Sequence, residues 1–458
     1  MRTTTIEQFV VDVLLGGDPD GRLASEDETR VAAQKIRCRY GVEVEDLLCS
    51  GQETLTSVRL DQVIREGIRR RMLSQVDAKS VFEGFVFRGR CKRLVSPFEI
   101  NIDITFRCNH RCIFCYASAK DCTLPADDEM PTQDVLDIID QFAELGGGLV
   151  LYGGGEPFLR EDFLDILSHT KSRGLWTYII SNGSLITPEV AREYAKLYDP
   201  RFDRIQISLD GSCPEIHDRQ RGHRGAFELT TQGIRNLTAT GKIRPIINTV
   251  LTRLNWRDVP NLLNLAIEYG AMTYRCLKLH KIGRGQLSDR YDQLALSAEE
   301  GEIVFRFLER KREELLGVIG IASDNACVFP MSVGALRAQI EYRPGEEPAS
   351  YSCAAGTTKL AVSPSGSVVP CSYFYDYPEF IVGSLREMSL KELWEDEARW
   401  AAFREPLVPE GKCAQCGYLH ACKTGCRIMS YVGSGSFGSP DIGCTFEPNE
   451  QRPVCSGA

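Results

Sequence analysis

Three cysteines, Cys108, Cys112 and Cys115, stand in a C-x3-C-x2-C pattern directly after a run of alternating apolar and polar residues. Three thiolates on one short loop can hold three irons of a [4Fe-4S] cluster, which takes cysteine ligands and usually four of them. A local fourth is missing. Cys122 follows Cys115 after six intervening residues in an unrelated local sequence and is set aside as a ligand. An open iron is an asset where a small molecule must bind. The alternatives are a zinc site short of one ligand and a chance grouping of core cysteines.

A second constellation lies near the C-terminus. Cys353 is followed by twelve residues, Gly366, four residues and Cys371; then come Cys413-x2-Cys416-x5-Cys422-x3-Cys426, and Cys444 after a gap. Taken alone, Cys413 to Cys426 also fits a zinc ribbon. Cys455 reads as a bystander. The chain has 18 cysteines in 458 residues, too sparse for a small disulfide scaffold. No export signal is recognisable at the N-terminus, so clustered cysteines read as metal or cofactor ligands in a cytoplasmic protein.

The elements that must position these loops follow from periodicity. From about 97 to 320, strands and amphipathic helices alternate, the signature of a parallel α/β sheet or barrel. Phe98, Ile100, Ile102 and Ile104 alternate with Glu99, Asn101, Asp103 and Thr105. Ile205, Ile207 and Leu209 alternate in the same way with Arg204, Gln206, Ser208 and Asp210. One apolar and one polar face suits a barrel packed by helices outside and holding a polar ligand inside. Further strands are expected at 149–152, 176–181, 245–251 and 274–279, with helices at 135–145 and 259–269. Six strands imply a partial, open barrel. Residues 1–95 read as a mostly helical domain, 96–320 as the barrel and 321–458 as a loop-rich domain. In the last, a hairpin over 360–369 turns at Pro364-Ser365-Gly366, and a helix spans 390–403. The composition, 43% hydrophobic and 26% charged, is that of a globular chain. A net charge of -9 argues against nucleic-acid binding. No apolar run is long enough to span a membrane.

The stretch Arg107-Cys108-Asn109-His110-Arg111-Cys112-Ile113-Phe114-Cys115-Tyr116 resembles the cluster loop of radical S-adenosylmethionine enzymes. Gly153-Gly154-Gly155-Glu156-Pro157 after the second strand resembles that family's GGEP motif. Ser181-Asn182-Gly183 and Ser208-Leu209-Asp210-Gly211 match further family loops, each at the C-terminal end of a strand, where barrel chemistry sits. The resemblance implies that S-adenosylmethionine chelates the open iron and is cleaved to a 5′-deoxyadenosyl radical. It implies cofactor contacts from Phe114, Gly154, Gly155, Glu156, Pro157, Ser181, Asn182, Ser208, Asp210 and Arg221, with Glu156 placed to pair with the methionine ammonium.

The C-terminal cysteines resemble the SPASM extension, which implies two auxiliary [4Fe-4S] clusters and three in all. By position, Cys353, Cys371 and Cys426 would hold the first auxiliary cluster, and Cys413, Cys416, Cys422 and Cys444 the second. Cys327 is the nearest candidate for a fourth ligand to the first, and is expected not to be one. Enzymes of this kind mostly modify peptide or protein side chains by crosslinking or oxidation; a minority oxidise or epimerise sugars, aminocyclitols or other small molecules. A non-catalytic iron–sulfur or zinc protein is the reading from another class. Ser372 replaces the Asp that directly follows the cysteine matching Cys371 in sulfatase-maturing enzymes, which disfavours formylglycine formation. An external electron donor such as flavodoxin or ferredoxin is implied. Asp103 and Gln206, on the polar faces of the first and fourth strands, are the expected catalytic residues. Asn101 and Arg204 point the same way.

Overall fold

Strand β1, Glu99–Thr105, seeds the architecture. Ile100, Ile102 and Ile104 are wholly buried in a core shared with the surrounding helices. The alternating set Glu99, Asn101, Asp103 and Thr105 is also buried, on the opposite face. Burial on both faces is characteristic of a parallel sheet covered by helices. The computed structural model describes residues 96–126, 128–287, 289–323, 353–416, 419–422 and 424–444. The helical segment expected over 1–95 and the loop of Cys327 lie outside these residues.

The strands that follow are β2 Leu149–Gly154, β3 Trp176–Ser181, β4 Arg204–Ser208, β5 Ile246–Leu251 and β6 Thr273–Lys278. They pair in parallel and in chain order. Helices over 132–144, 163–172, 188–197, 226–238 and 259–268 connect them, so the strand–helix alternation read from the sequence holds. The helix Thr132–Glu144 shows the logic: Val135, Ile138, Ile139 and Phe142, at helical spacing, are its buried residues.

The sheet has more strands than the six the sequence suggested. β7, Gly320–Ser323, adds in parallel to β6. On the other side, β8 Lys359–Val362 adds in parallel to β1. β9 Ser367–Val369 and β10 Gly383–Ser384 then extend the sheet antiparallel. The order is β10-β9-β8-β1-β2-β3-β4-β5-β6-β7, ten strands in an open sheet: a partial barrel that does not close. The β8–β9 hairpin turns where expected, with Gly366 at φ 87°, a left-handed conformation that suits glycine.

The helix expected over 390–403 is two helices, Leu390–Glu395 and Glu397–Arg404. Asp396 leaves the helical backbone and its side chain accepts from the Ala398 amide at 3.2 Å, capping the second helix. The break lets Trp394 and Trp400 pack edge to face at 5.4 Å. Arg404 lies over both rings, at 4.5 and 5.1 Å, and donates to the Gly356 and Trp394 carbonyls. The C-terminal domain meets the barrel through an apolar cluster of Ile282, Ala361, Val369, Phe374, Phe403, Ile428 and Met429, against which Tyr116 packs.

Candidate active site

The cysteine loop that follows β1 is clamped from three sides, by backbone contacts on two and by an arginine side chain beside a glycine on the third. On the first, the Gly155 and Glu156 amides donate to the Thr105 and Arg107 carbonyls at 2.7 and 2.9 Å. A Cβ on Gly155 would stand 2.0 Å from the Arg107 carbonyl oxygen, so the turn after β2 requires glycine there. On the second, the Arg111 and Ile113 amides donate to the Arg221 and Gln220 carbonyls, and a Cβ on Gly222 would meet the Arg111 oxygen at 2.3 Å. On the third, the Arg284 guanidinium donates to the carbonyls of Cys112 and Ala119, both at 2.8 Å, while Gly283 leaves no room beside the Cys115 carbonyl. The loops after β2, β4 and β6 thus converge on the loop after β1.

The thiols sit inside this clamp. Cys108 and Cys112 are buried and Cys115 is half-buried. Each sulfur faces a donor. The His110 amide approaches Cys108 Sγ at 3.4 Å, with the Asn182 amide nitrogen at 3.9 Å. Arg221 Nη1 lies 3.6 Å from Cys112 Sγ, and the Ala119 amide 3.5 Å from Cys115 Sγ. Burial pushes the free Cys108 thiol up to about 12, with Glu156 and the neighbouring cysteines adding to it. The thiols therefore stay protonated unless a bound cation compensates the charge of the thiolates.

Glu156 is buried and fully engaged. Its Oε1 accepts from Ser181 Oγ at 2.8 Å and from the Phe158 amide at 3.3 Å; its Oε2 accepts from the Asn182 amide at 2.7 Å. Burial nevertheless raises its pKa to about 7, with these bonds opposing the shift. The carboxylate therefore joins the turn after β2 to the turn after β3. Asn182 continues the network to Asn109 at 2.8 Å and to Ser184. Asp210 and Arg221 form a buried ion pair at 2.5 Å, and Arg221 lies 5.8 Å over the Phe114 ring. The residues expected at the cofactor site, Phe114, Gly154, Gly155, Glu156, Pro157, Ser181, Asn182, Ser208, Asp210 and Arg221, come from the loops or strand ends around this one cluster loop.

The lumen face carries a second set. Asn101 donates to Asp103 Oδ1 at 2.8 Å, while Asp103 Oδ2 is buried and has no hydrogen-bond partner among the described residues. Burial raises the Asp103 pKa to about 7, against the opposing influence of the Asn101 amide and the nearby Tyr375 phenol. Gln206 Oε1 accepts from the Tyr178 hydroxyl at 2.9 Å, and Arg275 reaches both from 3.4 Å. Arg204 shares the alternation but not the site: its guanidinium donates to the Pro200 and Asp203 carbonyls.

The C-terminal cysteines fall into two electrostatic neighbourhoods. Cys426 feels Cys353 and Cys371. Cys413 feels Cys444 and Cys416, and Cys422 feels those three. Among the described residues no three such side chains converge tightly enough to chelate a single metal ion. Asp441 stands between the two sets. Its carboxylate accepts from the Cys426 amide at 3.2 Å, the Gly443 amide at 2.7 Å and Lys278 Nζ at 2.8 Å.

The sequence reading missed Tyr116, Tyr375, Arg284 and the Lys278–Asp441 pair. Tyr116 directly follows Cys115 and Tyr375 lies four residues past Cys371, so adjacency to ligand cysteines was the available signal. Nothing local marked Lys278 or Asp441, which are 163 positions apart.

The comparisons agree with this geometry. Residues 102–266 match the Radical SAM superfamily, and 353–417 match the SPASM iron–sulfur cluster-binding domain. An AdoMet-dependent heme synthase from Methanosarcina barkeri is 30% identical over 360 residues, covering 78% of this chain and 98% of that one. Mycofactocin maturase MftC from Mycolicibacterium smegmatis is 30% identical over 383 residues, covering 80% and 91%. The crystal structure of Streptococcus suis SuiB bound to precursor peptide SuiA superposes with a TM-score of 0.64 at 18% identity, covering 91% of this chain and 90% of that one. The chain belongs to the radical SAM family and carries its SPASM domain: it is a radical SAM enzyme of the iron–sulfur, S-adenosylmethionine-using class. Among the described residues no helix is long and apolar enough to cross a membrane.

Proposed function

We propose that the protein is a cytoplasmic oxidoreductase that modifies a side chain of a ribosomal peptide or protein, by crosslinking or oxidation after hydrogen abstraction. The three-part division at residues 95 and 320 is part of this reading. Cys108, Cys112 and Cys115 hold the S-adenosylmethionine cluster. Cys353, Cys371 and Cys426 hold a first auxiliary cluster, and Cys413, Cys416, Cys422 and Cys444 a second. When bound, these groups supply one-electron chemistry and hydrogen-atom abstraction, fed by an external donor of the flavodoxin or ferredoxin type.

The chain's own residues do the rest. Glu156, through Ser181 and Asn182, fixes the relative position of two cofactor-facing turns. Asp210 orients Arg221 against Cys112 and Phe114. Arg284 holds the cysteine loop closed against water. Asp103 and Gln206 face the lumen as the groups that meet substrate.

The observation that carries the reading is the convergence of the family's loops on one clamped cysteine segment, whose sulfurs all face donors. The maturase relative and the peptide-bound structure support a peptide substrate. The heme-synthase relatives favour a second reading, a small-molecule substrate. The test is anaerobic incubation of the reconstituted enzyme with S-adenosylmethionine, reductant and the short peptide encoded beside its gene. A mass change in the peptide with matching 5′-deoxyadenosine is expected. No change in the peptide, with 5′-deoxyadenosine formation stimulated instead by a porphyrin or a sugar, would replace this reading with the second.

A further inference from the structure

One residue is bonded to both C-terminal cysteine sets. The Asp441 side chain is 0% exposed. Its Oδ2 accepts from the Cys426 amide at 3.2 Å, and its Oδ1 accepts from the Gly443 amide at 2.7 Å and from Lys278 Nζ at 2.8 Å. Its carbonyl accepts from the Cys444 amide at 2.8 Å, and its own amide donates to the Thr424 carbonyl at 3.1 Å. Asp441 thus ties Cys426 of the first set to Cys444 of the second. The backbone closes around it. A Cβ on Gly425 would stand 2.7 Å from Asp441 Cβ, and one on Gly443 would stand 3.3 Å from Asp441 Oδ1.

The charges around this junction are unevenly shared. Burial is the largest influence on Cys426, Cys413 and Cys422, and the Asp441 carboxylate acts on all three, one in the first set and two in the second. The cation bonded to that carboxylate is Lys278, the last residue of β6, so it comes from the barrel and not from the C-terminal domain. His280, two residues further on, adds no charge near neutral pH, because burial lowers its pKa to about 4. Lys412 is placed differently. Its Nζ donates to the Cys444 carbonyl at 2.9 Å, and its charge acts on Cys413, also of the second set.

We propose that the Lys278–Asp441 pair sets the reduction potentials of both auxiliary clusters together, with the barrel supplying the cation. The potential of an iron–sulfur cluster follows the charge around it, the hydrogen bonds to its sulfurs and its exposure. Buried charges are screened far less than surface ones. The Asp441 carboxylate opposes an added electron on either cluster, and the Lys278 ammonium offsets that opposition on both. Neither residue touches the reacting atoms; they act through the clusters. Because Lys278 stands on β6, the auxiliary clusters reach their working potentials only when the C-terminal domain is docked on the barrel. Electron acceptance is thereby tied to the assembled enzyme. An ion pair that only held the domains together would change the unfolding midpoint and leave both potentials in place.

This role rests on the reading of the two C-terminal cysteine sets as two clusters. The test is an EPR-monitored redox titration of the anaerobically reconstituted full chain. The chain carries Cys108→Ala, Cys112→Ala and Cys115→Ala, so that only the auxiliary clusters report. Cys353→Ala and Cys416→Ala, each added singly, assign the two signals. Lys278→Met should make reduction of both clusters about tenfold less favourable, a fall of about 59 mV for a one-electron couple. Asp441→Asn should move both the other way. Lys278→Arg keeps the charge and should stay within about twofold of the parent. Lys412→Met should lower the second cluster alone. Gly443→Ala keeps every charge and displaces only the ammonium, since its Cβ would stand 2.5 Å from Lys278 Nζ. It should lower both potentials by a smaller amount, and it takes over the test if Lys278→Met fails to take up its clusters. Unmoved potentials in the variant that decides, or a shift confined to one cluster, overturn this inference alone. A parent protein that takes up no auxiliary cluster overturns the cluster assignment and this inference together.

Discussion

Lys278 and Asp441 form the ion pair on which the joint between barrel and C-terminal domain turns. Their side chains are 13% and 0% exposed, and the bond is 2.8 Å long. Lys278→Ala leaves a buried carboxylate facing only the Cys426 and Gly443 amides. Breaking one side of such a pair costs about 3–5 kcal/mol, and the two surviving amides place the cost near the lower end, about 3 kcal/mol. A second perturbation reaches the same bond by geometry alone. A Cβ on Gly443 would stand 2.5 Å from Lys278 Nζ, the free end of a flexible side chain. Gly443→Ala therefore costs little in strain, yet drives the ammonium off the carboxylate. The assay is urea unfolding of the reconstituted protein, followed through the visible absorbance of its iron–sulfur clusters. With a slope of about 1–3 kcal/mol/M, Lys278→Ala should lower the midpoint by roughly 1 M or more. Gly443→Ala should lower it by part of that. The double variant should equal Lys278→Ala alone, since the alanine at 443 has nothing left to displace. Additive losses, or a Lys278→Ala midpoint within about 0.2 M of the parent, would refute the reasoning.

Changing Cys108, Cys112 and Cys115 together to Ala should abolish 5′-deoxyadenosine formation and remove about four of about twelve irons, counted by colorimetric iron assay. Gly155→Ala should prevent the cysteine loop from closing, because the new Cβ meets a backbone oxygen at 2.0 Å; the expected signs are loss of that cluster's EPR signal and a fall in melting temperature equivalent to about 1–3 kcal/mol. Asp103 should make the cluster-free protein less stable as pH rises. Its folded pKa is raised to about 7, so the native state holds a proton that the unfolded chain releases from about pH 4 upward. Stability attributable to this group is then lost between about pH 4 and 7, at about 1.4 kcal/mol per unit at most. The gap between melting curves at pH 5 and 8 should narrow in Asp103→Asn, with Glu156, also raised to about 7, keeping its own share; an unchanged gap would show that Asp103 does not contribute to the slope.

The barrel was legible because its signals are local. Ile100, Ile102 and Ile104 announce a strand by alternation, and the cysteine and glycine motifs sit at fixed offsets from strand ends. The strands added at the edges were not legible for the same reason. β7 is four residues long, and β8 joins β1 across more than 250 intervening residues. Whether a hairpin extends an existing sheet or stands alone is decided by pairing, which leaves no periodicity of its own. The break at Asp396 was hidden because the apolar spacing of Leu390, Leu393, Trp394, Trp400 and Phe403 continues through it.

The site divides along the same line. Residue types that need a neighbour in sequence, such as the cysteines and Gly155, could be named in advance. Roles that depend on a neighbour in space could not. Glu156 was named from its motif, but its hydrogen bonds to Ser181, the Asn182 amide and the Phe158 amide, which tie the turn after β2 to the turn after β3, were not. Arg204 shares the alternation of Gln206 and is spent on the Pro200 and Asp203 carbonyls. Asp103 is the reverse case. Its position on the polar face of β1 was visible, but its neighbour Tyr375, 272 positions away in the chain, was not. Burial raises that carboxyl to about 7, and Tyr375, reaching in from the C-terminal loop, opposes the shift; neither effect leaves a trace in the local sequence of β1.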